Sequence, residues 1–410
     1  MKINNLLNAF ILCFSILTTV FVLDGCEPPG CTREYNFTGE MPVYMTYEEL
    51  RASVYLDAPK PIDSSNAFCI SDPYLFVSDF EKGVHVYDCT IPENPQDFGF
   101  IHVPGVTQLA AVGSRLYVNS YVDLVVLDIS DIHAIHETGR VENTLTYRTY
   151  GSIFADPSKG VIIGFEERDT VIVEECGYHS SGIGMVYYDE PYLYMPYASG
   201  KQSGYLSYYK ANGDSLICFD EGTIRIFDVN NSDNPTVSFT TEVGGTYTVE
   251  PIGEYFLIGN SIYTSPASNQ LNYLSYLSEA DYCSKIVVNQ NYCYAANRTT
   301  DECYSYGTNL VAINIDYVTS PNYLDYYTDV VPNDVFTLND WVFVIHDHSE
   351  LRMYHIEADG TLTLFDSIPV ENAEYVKASE NTVIVDTNPG YKIYTYNGTS
   401  GLEYASYIPE

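Results

Sequence analysis

The 410-residue chain contains little tryptophan, little positive charge and little helical periodicity. Trp341 is the single tryptophan, and 18 lysines and arginines stand against 55 acidic residues, for a formal charge of -37. Nucleic-acid affinity depends on neutralising phosphates with Lys and Arg, so this composition disfavours nucleic-acid partners. Beyond the N-terminal segment, helical spacing of apolar residues occurs only near residues 47–51, which excludes a mainly helical fold.

Catalytic signatures are also missing from the sequence. There is no Gly-x-Ser-x-Gly motif, no phosphate-binding glycine loop and no zinc-protease helix motif. No two cysteines have the two-residue spacing of a zinc site. With 55 acidic residues, pairs of carboxylates arise by chance and indicate no active site.

A short phrase of two apolar strands recurs along the chain. It occupies residues 74–88, 116–128 and 216–228, and its second strand ends at Asp88, Asp128 and Asp228. Weaker copies end at Asn314, His355 and Thr395, at intervals of 41 and 40 residues, close to the 40 residues between Asp88 and Asp128. The longer interval after Asp228 predicts a divergent copy whose strand lies at 255–258.

Each copy contains four β-type runs rich in Val, Ile, Tyr and Phe, bounded by Gly, Pro, Asn or Asp. Four strands in about 40 residues is the period of a propeller blade, and radial closure protects strand edges. We predict an all-β fold, a seven-bladed β-propeller of four-stranded blades in a single domain at 41–410. The long interval before Asp228 predicts an insertion at about 144–202; an eighth, degenerate blade there is the alternative.

The phrases at 83–88 and 123–130 (GVHVYD and DLVVLDIS) resemble the LVIVD repeat. With the lead-in at 41–51, the chain is similar to the LVIVD-repeat lipoproteins of Bacteroidetes-type bacteria from about Met41 to its C-terminus. The resemblance is strong in the first three copies and weak in the fourth. It implies a cell-surface β-propeller without a general enzymatic activity.

The N-terminal segment predicts secretion. Lys2 precedes an apolar run from Leu6 to Leu23, which is typical of a signal peptide and barely long enough to span a bilayer. The following Asp24-Gly25-Cys26 is similar to the end of a bacterial lipobox, and acyl chains on Cys26 would each contribute about 0.8 kcal/mol per buried methylene. We predict a signal peptide at 1–25 and a lipoprotein tether at 26–40, with an uncleaved anchor as the alternative. The expected location is the bacterial cell envelope, at the outer membrane or cell surface, with membrane contact through the lipid anchor only.

Eight cysteines remain after Cys13 and Cys26 are set aside, and an oxidising exterior permits disulfides among them. Cys283 and Cys303 belong to the same edge of one predicted blade and are the disulfide candidate, with two free thiols as the alternative. Cys69 and Cys89 are separated by an intervening strand, and adjacent strands already stand about 4.8 Å apart. A bridge between those two is therefore disfavoured.

Tyrosine is over-represented, with 40 residues against 18 phenylalanines. Most should pack between blades with their hydroxyls at a polar edge. A cluster in the predicted insertion is the candidate binding surface, because exposed tyrosine suits sugar and protein partners. Its members are Tyr187, Tyr188, Tyr192, Tyr194 and Tyr197.

Metal binding has one candidate, His346 and His348, which alternate at a predicted strand end where both imidazoles would face one side. Two histidines need a third ligand, and the alternative is a pair of polar turn residues. Calcium is a possible ion at the acidic turn 228–234, whose spacing is not that of an EF-hand. No other cofactor is expected.

These observations favour a non-catalytic surface lipoprotein that acts as a binding or scaffold module for a protein or polysaccharide. The alternative is an extracellular propeller enzyme, a hydrolase or lyase, with acidic residues at its central channel. Because propellers host both, the fold alone does not decide between them.

Overall fold

The computed structural model describes residues 32–147, 156–175, 208–220, 222–243, 248–264, 271–281, 284–298 and 307–410. The chain divides into two compact units. The first comprises residues 1–44, 149–158 and 162–196, and the second comprises residues 45–148, 159–161 and 197–410. None of the helices in the described ranges has the length and apolar character needed to cross a bilayer.

The described strand residues of the first unit lie in one two-stranded sheet. The strand Thr32–Met45 pairs with Val161–Glu175. The Thr38 hydroxyl donates to Asp169 over 2.6 Å. The Tyr44 hydroxyl accepts from the backbone N–H of Asp156 over 2.9 Å. Part of the range predicted as a tether, from Thr32 onward, is therefore strand.

The second unit is built from antiparallel sheets, seven of which fall in the described ranges. Sheet 1 contains Ser65–Ser71, Tyr74–Asp79, Gly83–Asp88 and Gln96–His102, and the short strand Tyr55–Asp57 is added as a fifth beside Gln96–His102. Sheet 2 contains Leu109–Val112, Arg115–Ser120, Asp123–Asp128 and His136–Val141. Sheet 3 contains Tyr208–Asn212, Ser215–Asp220, Thr223–Asp228 and Thr236–Glu242. Sheet 4 contains Val249–Ile252, Tyr255–Ile258, Ser261–Thr264 and Tyr273–Tyr276.

The remaining three sheets have the same up-and-down order. Sheet 5 contains Lys285–Asn289, Tyr292–Asn297, Asn309–Asn314 and Asn322–Tyr327. Sheet 6 contains Pro332–Leu338, Trp341–His346, Glu350–Ile356 and Leu362–Pro369. Sheet 7 contains Tyr375–Ala378, Thr382–Asp386, Tyr391–Asn397 and Gly401–Ile408. Short 3-10 turns lie at Ile132–Ala134 and Pro157–Lys159.

Hydrophobic clusters join each sheet to the next along the chain. A further cluster joins sheet 7 to sheet 1, where the Phe68 and Tyr391 rings lie 5.3 Å apart. The second and third strands are buried on both faces because each sheet is packed between two others. The second unit is thus a closed, propeller-like arrangement of four-stranded sheets.

The predicted repeat register is confirmed by the strand pairing. Asp88, Asp128 and Asp228 each lie opposite the first residue of the preceding strand, and so do the weaker copies Asn314, His355 and Thr395. In sheet 4 the equivalent pair is Tyr255 with Thr264, which places the divergent copy where it was predicted.

The repeated aspartate has a local structural role. The Asp88 carboxylate accepts the backbone N–H of Thr90 over 2.8 Å, and Asp128 and Asp228 accept the equivalent N–H groups of Ser130 and Asn230. These side-chain turns direct the chain into the fourth strand. Each described pairing of third and fourth strands also contains a β-bulge, which blunts the outer edge against pairing with other chains.

The predicted helix near 47–51 is present as Tyr47–Ala52. Thr46 and Glu49 form a capping box, which satisfies backbone N–H groups at the helix start. Leu50 is buried beside Val122 and Val161. Farther along, Leu145 packs in the cluster between sheets 2 and 3, inside the range predicted as an insertion.

Candidate functional site

In each sheet the first strand begins where the second strand ends, as Tyr375 opposite Asp386 and Pro332 opposite His346 illustrate. First strands of neighbouring sheets also contact one another, for example in sheets 5 and 6, 6 and 7, and 7 and 1. The first strands are therefore innermost. We call the edge at which they begin the upper rim, and most of the buried charged groups lie along it.

Asp123 is the centre of an ion-pair network at the upper rim of sheet 2. Its carboxylate is fully buried and lies 3.0 Å from both Arg51 and Arg140, and it accepts the backbone N–H of Asn143 over 2.7 Å. The Arg140 guanidinium also forms an ion pair with Glu137 at 2.6 Å. Burial acts to lower the pKa of Arg140, but Glu137 and Asp123 outweigh it, so this pKa lies above its usual value. The network attaches the helix to sheet 2.

Asp79 lies at the upper rim of sheet 1, where the second strand ends. It accepts the backbone N–H groups of Asp63 and Ser64 and lies 3.3 Å from the buried His85 ring. Burial acts to raise the pKa of Asp79, but the hydrogen bonds from His85 and from the two N–H groups outweigh it, so that this pKa lies below its usual value. The Asp79 carboxylate thus holds Asp63 and Ser64, the two residues before the first strand of sheet 1, in place.

Asp334 connects three consecutive sheets. One of its oxygens bonds the Lys285 ammonium of sheet 5, and the other accepts the backbone N–H of Val376 in sheet 7 over 2.8 Å. Its side chain is 1% exposed, whereas that of Lys285 is 43% exposed. The buried Asp334 carboxylate therefore connects the first strands of sheets 5, 6 and 7, while the Lys285 ammonium is partly exposed to solvent.

His346 and His348, the predicted metal ligands, lie in different environments. The strand ends at His346, and the following Asp347 and His348 have φ values of 46° and 54°. The premise that both rings share one face of a strand is therefore wrong, because the backbone turns between them. In the described ranges, His, Cys, Asp and Glu form no cluster of three or more that could hold a metal ion.

Each histidine ring has its own hydrogen-bond partners. His346 Nδ1 accepts the backbone N–H of Val331 over 3.0 Å. Burial first, and Arg352 second, lower the pKa of His346. His348 Nδ1 lies 3.0 Å from the Ala373 carbonyl, which assigns the ring proton to that nitrogen.

Because Nδ1 carries the proton, His348 Nε2 accepts hydrogen bonds. The donors are the Asn333 amide and the Arg298 guanidinium, the latter at 3.1 Å. The Glu374 carboxylate lies 3.6 Å from Nδ1. His348 thus connects the upper rims of sheets 5, 6 and 7. Sequence reasoning missed this arrangement, because it continued the strand through Asp347 and His348 and took no account of the enrichment of aspartate and histidine at positive φ.

Exposed aromatic side chains also occur along the fourth strands of sheets 4 to 7. Tyr273, Tyr276 and Tyr404 are 57%, 55% and 56% exposed. Tyr323, Phe365 and Tyr407 are exposed on the same strands. We call these six residues the outer aromatic surface. Sequence reasoning missed it because a tyrosine on a fourth strand has the same pattern as one that packs between sheets.

Buried tyrosines match the packing role predicted for most of the 40. The Tyr117 hydroxyl donates to the Ser232 carbonyl of the next sheet over 3.1 Å, and Tyr294 donates to the Gly360 carbonyl over 3.1 Å. Burial raises the pKa of Tyr117 to about 12, with a smaller contribution from Asp233. These hydroxyls connect neighbouring sheets.

Several predicted site residues lie outside the described ranges. They are Cys26, Cys283, Cys303, Tyr187, Tyr188, Tyr192, Tyr194 and Tyr197. Cys69 and Cys89 are described and are free thiols, as expected from the strand between them. At the acidic turn, Asp228 accepts backbone N–H and Asp233 pairs with Arg115 at 2.5 Å. Calcium binding at this turn stays a prediction.

No protein-family model matches the chain, and no curated protein matches it. The solved structures that are similar to the chain include the following three. A Lactobacillus plantarum protein has 12% identity over 87% of this chain and 97% of its own, with a TM-score of 0.49. PorZ, a surface component of the type-IX secretion system of Porphyromonas gingivalis, has 11% identity over 87% of this chain and a TM-score of 0.49. The match covers 39% of the PorZ chain. Kluyveromyces lactis Hsv2p has 9% identity over 85% of this chain and 99% of its own, with a TM-score of 0.48. Likeness at this level assigns neither a family nor a function.

Proposed function

We propose that the protein is a non-catalytic, lipid-anchored β-propeller of seven blades that binds a protein or polysaccharide partner at the bacterial cell surface. The outer aromatic surface carries this proposal. Tyrosine presents a rigid apolar face and one polar tip, which suits sugar rings and protein side chains. Five exposed tyrosines and Phe365 lie on the fourth strands of four consecutive sheets.

The buried carboxylates support a structural role for the upper rim. Asp79, Asp123 and Asp334 each accept backbone N–H groups and face a cation or a histidine. Groups committed to such bonds hold loops and neighbouring sheets in place. This favours a binding module over a propeller enzyme that would use acidic residues near the innermost strands.

The seven-blade architecture is supported by the sheet packing in the described ranges, where sheet 7 contacts sheet 1. The LVIVD-like phrases at 83–88 and 123–130 form the third strands of sheets 1 and 2, and they support membership of the LVIVD-repeat lipoproteins. The lipobox-like Cys26 supports anchoring in the cell envelope. These parts of the proposal are independent of the identity of the partner.

A binding screen tests the proposed function. Purified protein is applied to a glycan array and to immobilised secreted proteins, with and without calcium. We expect at least one partner whose binding falls about tenfold or more when Tyr276 and Tyr404 are both changed to Ser, since aromatic anchors carry much of such binding energy.

The matched control is Val237→Ser, which removes an exposed apolar side chain from the fourth strand of sheet 3. This variant should bind like the wild type. If the tyrosine and valine variants bind equally, the outer aromatic surface is not the binding site. Turnover of a polymer in the same screen would favour the enzyme alternative.

A further inference from the structure

The upper rim of sheets 5 to 7 presents exposed cations in a chain with a formal charge of -37. Arg298 is exposed and follows the second strand of sheet 5, and Lys285 begins the first strand of that sheet. Lys285 lies opposite Ala296, two residues before Arg298. Both basic side chains therefore belong to one part of the rim, beside the innermost strands.

Arg298 differs from the other arginines whose side chains the structure describes. Arg51, Arg115, Arg140, Arg168, Arg225 and Arg352 all form ion pairs with carboxylates. Among the described side chains, the partner of Arg298 is Nε2 of the His348 ring. Its charge is therefore not cancelled by a carboxylate of the described ranges.

The groups around Arg298 are held in place by their own bonds. Asn333 contacts His348 through both ends of its amide, since its oxygen accepts the His348 backbone N–H over 3.1 Å. The Ala373 carbonyl orients the His348 ring from the other side. Asp347 and His348 form the left-handed tight turn between the second and third strands, which is closed by the Ser349 N–H donating to the His346 carbonyl over 3.0 Å. The Arg298 partner is thus rigid before any ligand binds.

The neighbouring side chains indicate the chemistry of a ligand. A guanidinium recognises a carboxylate through two parallel hydrogen bonds. The half-exposed Glu374 and Asn333 suit hydroxyl groups, and Tyr375, which is 40% exposed, follows Glu374 at the start of the first strand of sheet 7. A carboxylate attached to a small ring with hydroxyl groups matches this combination.

Charge limits the size of the anion. The chain as a whole repels polyanions, because its field is negative beyond the local cations. Salt screens that field within about 10 Å, so one carboxylate beside Arg298 and Lys285 is attracted while a chain of many carboxylates is not. We propose that Arg298, with His348, Asn333, Glu374 and Tyr375, forms a binding site for a single sugar acid, such as one uronic acid residue. This site is separate from the outer aromatic surface.

Calorimetric titration of the full-length protein tests the site directly. The probes are D-galacturonate and D-glucuronate, with D-galactose, D-glucose, acetate and polygalacturonate as comparisons. We expect at least one monomeric sugar acid to bind about tenfold more tightly than the neutral sugars and acetate, since a charge-assisted pair is added to the hydroxyl contacts. Polygalacturonate should bind more weakly per residue than the monomer.

Two substitutions have opposite expected effects. Arg298→Gln should weaken sugar-acid binding about tenfold or more, while Glu374→Gln should strengthen it because a repelling charge is removed. Arg168→Gln removes an exposed arginine from a different part of the chain and should leave binding unchanged. Circular dichroism of each variant checks that it is folded.

The proposal is overturned if neither sugar acid binds, or if neutral sugars bind as tightly as the acids. It is also overturned if the Arg298 and Arg168 variants lose affinity equally. A sugar acid that binds normally to the Tyr276 and Tyr404 double variant would show that this site works independently of the outer aromatic surface.

Discussion

Replacing Asp123 by Asn should destabilise the protein strongly, because it removes the shared negative charge between two arginines. The Asp123 side chain is 0% exposed and lies 3.0 Å from Arg140, which is 8% exposed. Asparagine keeps the shape, and its oxygen can still accept the Asn143 N–H. Its NH2 group then replaces the oxygen that accepts from Arg51 and Arg140, so the substitution removes the charge and one acceptor without changing the volume.

The magnitude follows from how much each arginine loses. Breaking a buried pair by removing one partner costs about 3–5 kcal/mol. Arg140 keeps Glu137 at 2.6 Å and Arg51 keeps Glu142 at 2.8 Å, so part of the charge stays compensated. We expect a loss of about 3 kcal/mol in the free energy of unfolding, at the lower end of that range.

Urea unfolding followed by circular dichroism measures the change. The control is Glu142→Gln, whose side chain is 55% exposed. An exposed ion pair contributes about 0–1 kcal/mol, so this control should lie close to the wild type. Hydrogen exchange should also accelerate in the helix Tyr47–Ala52 of the Asp123 variant. Equal stability of the two variants would refute the buried network.

Three further substitutions test other contacts. A Cβ atom on residue 139 would lie 1.8 Å from the Asp233 backbone oxygen, so Gly139→Ala should lower the free energy of unfolding by about 1–3 kcal/mol, measured by thermal unfolding. The control is Gly164→Ala, which should lower it far less because nothing lies within 4 Å of the added Cβ atom. Asp334→Asn should lower the free energy of unfolding by about 2 kcal/mol, and a double-mutant cycle with Lys285→Met should show coupling between the two side chains. The pKa of His346 is lower in the folded protein than its ordinary value of 6.5. The neutral ring therefore contributes stability above pH 6.5, and this contribution is lost as the pH falls through the pKa of the folded state. The urea midpoint should therefore drop less between pH 7.5 and pH 5 in His346→Gln than in the wild type, and equal drops would contradict this assignment.

The repeat could be predicted from sequence because one structural requirement recurs in four of its copies. The end of the third strand needs a side chain that accepts a backbone N–H two residues on, and aspartate or asparagine supplies it at Asp88, Asp128, Asp228 and Asn314. That regularity gave the strand register and the position of the divergent sheet. The pattern was visible because the same local bond is made many times.

The charged contacts of the upper rim could not be predicted in the same way. Asp123 and Arg51 are 72 residues apart, and Lys285 and Asp334 are 49 residues apart. Their partners are set by which sheets are neighbours and by the helix position, and each such contact occurs once. His346 and His348 do not share a strand face because the backbone is left-handed at Asp347 and His348. Aspartate and histidine are enriched in that conformation, but they also occur in strands, so residue type alone did not decide between the two.

The closed packing of four-stranded sheets is tested most directly by a crystal structure of the full-length protein. We expect seven such sheets around one axis, with Phe68 of sheet 1 against Tyr391 of sheet 7. An eighth sheet between sheets 2 and 3 would contradict the proposed blade number. An open stack in which sheets 1 and 7 do not touch would contradict the closed packing itself.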